Sequence, residues 1–409
     1  LHRVRRLAGA GAVELATGEA AQLASLCADA PVRDAVVARA AAAEALRDRA
    51  RDTDAVADLL ETARADADAL DPLLRAALDH ELGSYLGRRG RLDEAEAALD
   101  RAVAGFAAAA PEAWGHAESL SNRAVIDVIR GRLEPARDRL EDALARMERA
   151  APDSLALSAQ QANLAIVLRR MGDPAGARAL AEEALAIRSR LAPGSEQVAQ
   201  TLNNLGVLAK TGGDLVAAED YYRRALVIRE ALDAPPLARA SVLGNLANLA
   251  LERLDPDASL ALHRDVLALL EPVAPGHRYV VNTRLSLGQA ELLRGRLDEA
   301  EAHLEAARAL QETIGPDAPI YAGILEALGR LARERGEASI ARQRLDEALA
   351  LRLELDSGGL DAASVRLALA ELDLDEGEVP AARERLRTAS ETAAARAPGS
   401  LVESRARHL

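Results

Sequence analysis

Lys210 and Thr211 are the residues whose chemistry is easiest to name, because a lysine followed by a hydroxyl residue beside glycines is typical of a loop that binds nucleotide phosphates. Lys210 is the only lysine of the chain and lies in "LNNLGVLAKTGGD" at 202–214. In a phosphate-binding loop a glycine directly precedes the lysine, and the loop follows a strand. Here the preceding residue is Ala209 and the surrounding residues favour helix. The stretch is therefore predicted to be the end of a helix and not a nucleotide site.

Other patterns that could carry chemistry are incomplete. The stretch "AGAGAVE" at 8–14 has Glu14 where a dinucleotide-binding fingerprint needs its third glycine. "DLDEGE" at 373–378 lacks the oxygen ligands and the closing glutamate of a calcium loop. The seven histidines show no zinc-ligand spacing, and no serine lies in a nucleophile-elbow pattern. The sequence predicts no cofactor, no metal site and no enzymatic activity, although a triad assembled from distant residues would leave no such pattern.

The composition points to a helical protein with an aliphatic interior. Apolar residues make up 49% of the 409 residues, but the chain has only one Trp, five Tyr and one Phe. Leu and Ala, which favour helix most strongly, must then supply most of the core. No stretch approaches the roughly 20 apolar residues that cross a bilayer as a helix. The sequence predicts no membrane partner.

Charge and cysteine content narrow the partner and the compartment. The net charge of −14 argues against a nucleic-acid partner and makes basic partners more plausible. Cys27 is the only cysteine, so an intrachain disulfide is impossible and a reducing compartment fits best. We predict a cytoplasmic location. The abundance of arginine and alanine favours a bacterial origin, and a start at Leu1 instead of Met is compatible with a piece of a longer protein.

Four asparagines recur at one constant interval, with residue numbers that differ by 41: Asn122, Asn163, Asn204 and Asn245. A side-chain amide both donates and accepts hydrogen bonds. A row of amides could therefore hold the backbone of an extended peptide without reading its side chains. Alternatively, each asparagine bonds to the backbone of its own repeat or of the next one. The sequence leaves both readings open.

The same interval organises most of the chain. Glycine occupies seven of eight equivalent positions, and small residues recur seven positions before and five and twelve positions after them, with Val266 as an exception. A fixed period of this length indicates a stack of helical hairpins, none of which buries its apolar side alone. The first helix of each hairpin is expected to end at the repeated glycine, and prolines are expected to end the second. The eight equivalent positions are Gly90, Gly131, Gly172, Gly213, Leu254, Gly295, Gly336 and Gly377.

This spacing resembles the tetratricopeptide repeat (TPR), in the longer variant of kinesin light chains, most clearly at 201–230. The resemblance implies an all-α fold: a right-handed superhelical solenoid of antiparallel helix pairs. We expect eight repeats with a C-terminal helix over 76–409. Residues 1–75 fall out of register and are expected to form a degenerate helical cap, with helices near 13–29, 32–50 and 53–69.

The resemblance also implies a binding surface. In the family, the position of the four recurring asparagines lines a concave groove and holds peptide backbone. Other positions that the family turns to the groove hold Asn203, Asn248 and Asn282, with the cations Arg169, Arg170 and Lys210 near the helix ends. These cations could pair with ligand carboxylates, or simply be solvated. Repeats 7 and 8 carry Ala327 and Ala368 in place of asparagine, so the site is predicted in repeats 2 to 5.

The fifth repeat departs from the pattern at Leu254, Ser259, His263 and Val266. Four departures in one repeat predict altered packing there. They could mark a bend or a hinge of the array, or be sequence changes that the fold tolerates.

Two functions follow as expectations. The first is a scaffold without chemistry of its own that binds a protein or peptide segment through its groove. The second is a regulatory arm, because the array resembles the sensor arms of bacterial serine/threonine kinases and the arrays that accompany caspase-like proteases and signalling ATPases. In that case the catalytic partner would be covalently linked outside this chain or a separate protein.

Overall fold

The structure is a computed structural model that describes residues 54–67, 72–315, 318–355, 359–396 and 401–408. Within these ranges the chain forms 18 α-helices and no strand, as its alanine and leucine content favours. The helices are α1 (Asp54–Ala67), α2 (Pro72–Arg88), α3 (Leu92–Ala109), α4 (Trp114–Ile129), α5 (Leu133–Ala150), α6 (Leu155–Met171), α7 (Pro174–Leu191), α8 (Glu196–Thr211), α9 (Leu215–Ala231), α10 (Pro236–Glu252), α11 (Pro256–Leu270), α12 (Arg278–Leu293), α13 (Leu297–Ile314), α14 (Ala318–Glu334), α15 (Ala338–Leu355), α16 (Leu360–Asp375), α17 (Val379–Arg396) and α18 (Leu401–His408).

Most of the N-terminal predictions lie outside the described residues. These are the helices at 13–29 and 32–50, the glycine-containing stretch at 8–14 and Cys27. The helix predicted at 53–69 is observed as α1. The assignment of 1–75 as a cap stays a prediction.

The helices are arranged in repeated pairs. The even-numbered helices α2 to α16 are the first helices of the eight repeats, and the odd-numbered helices α3 to α17 are the second. The described residues divide into an N-terminal unit, up to Leu208, and a C-terminal unit, from Ala209. In both units a first helix packs against the second helix of its own repeat and against that of the preceding repeat. The predicted all-α solenoid of helix pairs is confirmed.

The repeated glycines end the first helices, as predicted. In repeat 4, Gly213 N–H donates to the carbonyl of Lys210 at 3.0 Å and Asp214 N–H to that of Ala209 at 2.9 Å, the hydrogen bonds of a helix that stops in a left-handed turn. Lys210 and Thr211 thus lie in the last turn of α8. The seven glycines with positive φ at this position are Gly90, Gly131, Gly172, Gly213, Gly295, Gly336 and Gly377.

Small residues allow the two helices of a repeat to approach closely. A Cβ atom added to Gly83 would lie 2.6 Å from Leu99 Cγ, and one added to Gly288 would lie 2.5 Å from Leu304 Cγ. Both distances are well below van der Waals contact, so these seams have no room for a methyl group. The small residues therefore fix the spacing of the hairpins.

The fifth repeat differs from the others in its helix stop and in two buried polar side chains, and altered packing there stays a prediction. Leu254 replaces the helix-ending glycine yet keeps the left-handed conformation, with φ of 57°. Ser259 and His263 are buried, and their side-chain polar atoms have no hydrogen-bond partner among the described residues. Burial lowers the pKa of His263 to about 4, so the side chain is neutral at pH 7. Ala218 and Ala300 occupy the position of Ser259 in the neighbouring repeats, and Tyr222 and Leu304 occupy that of His263.

Candidate functional site

Two of the recurring asparagines bond to the preceding repeat. Asn122 Nδ2 donates to Ser84 Oγ at 2.7 Å, and Asn163 Nδ2 donates to Ser121 Oγ at 3.1 Å. The partner is thus a serine hydroxyl, and not the backbone of the same or the next repeat, which was the alternative from sequence. These bonds hold successive first helices side by side. In the described part of the chain the amide oxygens of both asparagines accept no hydrogen bond.

Asn204 is the third member of the row and is placed differently. It is half-buried, and its side chain makes no hydrogen bond to any described residue. It lines a small cavity of about 50 Å³ between α6 and α8, together with Arg169, Ile166 and Val207. An unpaired amide beside aliphatic side chains can bind a peptide group of a ligand.

A second cavity of the N-terminal unit lies beside Asn122. It measures about 260 Å³ between α2 and α4. Among its lining residues are Ser84, Arg88, Val125 and Ile129. Val125 is 41% exposed and Ile129 57% exposed. Branched aliphatic side chains therefore lie uncovered beside the asparagine.

We refer to the exposed side of α4, α6 and α8 as the N-terminal face. Each of these helices presents an asparagine and, one turn later, a β-branched aliphatic residue, so both kinds of side chain share one side of the helix. The face is defined by Asn122, Val125, Asn163, Ile166, Asn204 and Val207.

The two predicted arginines of this unit have different surroundings. Arg170 Nη1 donates to the Val128 carbonyl at 2.9 Å, which joins repeats 2 and 3. Arg169 is exposed and forms no ion pair or hydrogen bond through its side chain to the described residues. Of these two arginines, Arg169 is therefore the one that lines a cavity, and its positive charge has no partner among the described residues.

Asn203, Asn245 and Asn282 are half-buried, and none of them lines the cavities described for either unit. Their role in binding stays a prediction.

The largest cavity described belongs to the C-terminal unit and measures about 550 Å³. Of the predicted residues it contains Lys210 and Asn248. Lys210 Nζ is 2.6 Å from Glu252 Oε1, and Asn248 Oδ1 accepts a hydrogen bond from Ser286 Oγ at 3.4 Å. Its apolar side consists of Leu251, Leu254, Leu292 and Leu293.

The opposite side of this C-terminal cavity is charged and internally paired. Glu371 is 5% exposed and binds Arg333 at 2.8 Å and Arg405 at 2.7 Å. Arg330 lies 3.1 Å from Glu326, whose Oε1 also accepts a hydrogen bond from Ser364 at 2.8 Å. Every cation that lines the cavity thus has a carboxylate within ion-pair distance.

Most of this cavity lies beyond repeats 2 to 5, where the sequence predicted the site. A signal was nevertheless present, since one set of lining residues recurs with the repeat period, three positions after the asparagine row. The set is Asn248, Gln289, Arg330 and Glu371.

Within the described ranges, no three His, Cys, Asp or Glu side chains come together as a metal ion would need. No helix in the same ranges combines the length and the apolar character that crossing a lipid bilayer requires.

Comparison with known families identifies the repeat. The model described as "Tetratricopeptide repeat" matches residues 74–149, 155–231, 237–313 and 279–354, which is more than half of the chain. The chain belongs to the tetratricopeptide-repeat family. The match agrees with the constant interval between the repeated glycines and with the helix pairs. No curated protein matches the chain.

Solved structures share the TPR fold. The apo form of the quorum sensor NprR from B. thuringiensis is 14% identical, with a TM-score of 0.66, over 82% of this chain and 93% of that one. The apo form of RapI is 15% identical, with a TM-score of 0.57, over 68% and 97%. Kinesin light chain TPR-like repeats from Podosopora anserina are 20% identical, with a TM-score of 0.43, over 48% and 94%. At these identities the likeness to NprR and RapI concerns the fold.

Proposed function

We propose that the protein is a scaffold that binds a protein or peptide segment in extended conformation on its N-terminal face. The observation that carries this proposal is the side chain of Asn204, half-buried and without a hydrogen bond to described residues, at a cavity between two first helices. Asn122 and Asn163 lie at the same repeat position, with amide oxygens that accept no hydrogen bond from the described residues. A peptide N–H donates to such an oxygen, and a peptide carbonyl accepts from the free N–H groups of Asn204.

The proposed role requires no chemistry from this chain. Two buried acids that could suggest catalysis are held in ion pairs: Asp127 lies 2.8 Å from Arg123 and 2.5 Å from Arg139, and Asp373 lies 2.7 Å from Arg342. Such carboxylates join helices of the array. We propose a bacterial, cytoplasmic protein that acts through its partners, with 1–75 as a cap of the array.

The double substitution Asn163→Ala with Asn204→Ala tests this function. Peptides are first selected from a displayed random library against the protein, and their dissociation constants are then measured by fluorescence anisotropy. Two lost hydrogen bonds, at about 0.5–1.5 kcal/mol each, should weaken binding about tenfold. The matched control is Gln343→Ala, on the exposed side of a second helix, which should leave the affinity unchanged.

Circular dichroism of all three proteins checks that the fold is retained. Unchanged affinity of the folded double variant would show that the face does not bind peptide.

A further inference from the structure

The two cavities of the N-terminal unit repeat one combination of side chains. The cavity between α2 and α4 combines Asn122, Val125 and Arg88. The cavity between α6 and α8 combines Asn204, Val207 and Arg169. The asparagines of the two cavities lie two repeats apart, and so do the valines. The same set of an amide, a branched aliphatic group and a guanidinium group thus occurs twice on one face.

The two arginines differ from most charged residues of the structure because they lack a carboxylate. Neither Arg88 nor Arg169 forms a side-chain ion pair or hydrogen bond with the described residues. By contrast, Arg123 in the same unit binds Asp100 at 2.6 Å and Asp127 at 2.8 Å. Two guanidinium groups beside cavities are therefore free to bind ligand carboxylates, and charge-assisted bonds of this kind are strong and geometrically specific.

Both arginines lie in the last turn of a first helix, where a cation also interacts favourably with the helix dipole. That interaction requires only a positive charge near the helix end. It does not require an asparagine and an aliphatic side chain at the same cavity, so the dipole alone leaves the repeated combination unexplained.

We propose that the N-terminal face recognises an extended protein segment in which branched aliphatic residues and acidic residues are combined. The aliphatic side chains cover Val125, Ile129, Ile166 and Val207, the asparagines bind the backbone, and the carboxylates pair with Arg88 and Arg169. This proposal rests on the proposed function and specifies its partner. It departs from the basic partner that the net charge of −14 favours, because the unpaired charges at these cavities are positive.

Repeat spacing sets the length of the segment. First helices of adjacent repeats pack about 10 Å apart, so cavities two repeats apart are separated by roughly 20 Å. An extended chain rises about 3.3 Å per residue, so roughly six residues separate the two acidic positions. Acidic residues at this separation, with Val or Ile between them, are the expected signature.

The test is selection from a random dodecapeptide library displayed on phage, followed by affinity measurement of the enriched peptides. The expected result is enrichment of Asp or Glu together with Val or Ile. Each of the single charge reversals, Arg88→Glu and Arg169→Glu, should weaken binding of these peptides at least tenfold and reduce the preference for acidic residues. Arg383→Glu is the matched control, since it makes the same charge change on an exposed second-helix residue, and it should have no effect.

The other outcomes separate the two proposals. Selected peptides could bind the asparagine double variant (Asn163→Ala with Asn204→Ala) more weakly and yet contain no excess of acidic residues, or bind the charge-reversal variants as well as the wild type. Either result overturns the acidic–aliphatic assignment and leaves the scaffold function in place. A selection in which no peptide is retained better by the wild type than by the folded asparagine double variant overturns both.

Discussion

At the residue scale, His263 shows how one side chain makes the fifth repeat different. The equivalent position is leucine in five of the other repeats, whereas here an imidazole is 2% exposed with both ring nitrogens unpartnered among the described residues. A buried polar group without a hydrogen bond costs free energy that an aliphatic residue would not. The five leucines are Leu99, Leu140, Leu304, Leu345 and Leu386.

We predict that His263→Leu raises the free energy of unfolding by about 1–2 kcal/mol at pH 7, because the leucine needs no partner. Urea unfolding followed by circular dichroism measures the change. A loss of stability would mean that His263 has a polar contact that its burial does not reveal.

The same residue predicts a pH dependence. Burial lowers the pKa of His263 in the folded state from 6.5 to about 4, so between these values the unfolded chain binds a proton that the folded chain does not. Stability is then complete above about pH 6.5 and falls as the pH approaches 4, by about 3 kcal/mol from this residue. Urea midpoints at pH 7, 5.5 and 4.5 should therefore fall more steeply for the wild type than for His263→Leu. Parallel pH curves would contradict the assignment.

At the element scale, the helix stop of the fifth repeat is strained. Leu254 adopts φ of 57°, a conformation that costs a residue with a Cβ atom about 1–2 kcal/mol, and its side chain is 68% exposed. Leu254→Gly should stabilise the protein by roughly 0.5–1 kcal/mol, because glycine relieves the strain but adds freedom to the unfolded chain. Thermal unfolding measures this change. Gly213→Ala, at the same position of the fourth repeat, should destabilise the protein, and the opposite signs together verify the left-handed stop.

The helix seams lead to another prediction, based on two glycines in the interior of helices. A Cβ atom at Gly288 would lie 2.5 Å from Leu304 Cγ, whereas one at Gly244 would meet nothing within 4 Å. Gly288→Ala should therefore destabilise the protein by about 1–3 kcal/mol through overpacking. Gly244→Ala should be neutral or stabilising by up to about 1 kcal/mol, because alanine favours helix. Equal effects of the two substitutions on the urea midpoint would contradict the close seam.

At the scale of the whole molecule, the sequence was sufficient for the fold because the constant repeat period sets helix length, helix stops and seams together. It did not predict which polar residues are buried. Arg188 is an example: it is 7% exposed, and its guanidinium donates to Thr201 Oγ1 at 2.7 Å and to the Ser158 carbonyl at 3.2 Å. An arginine on a helix is normally exposed, so only the assembled structure shows that it joins two first helices.

The candidate site was also predictable only in part from the sequence. The asparagine row was visible from its spacing, and the structure places three of its members on one face. The contacts with Ser84 and Ser121 were not visible, because they depend on how far adjacent repeats are shifted along each other. The C-terminal cavity was missed because its charged residues change type from repeat to repeat, which hides a shared position.

The measurement that tests the central claim most directly is hydrogen–deuterium exchange of the protein with and without a selected peptide. Binding on the N-terminal face predicts slower exchange in α4, α6 and α8 when the peptide is bound, and little change in α5 and α7 on the second-helix side. Protection confined to the second helices, or to the C-terminal unit alone, would contradict the account.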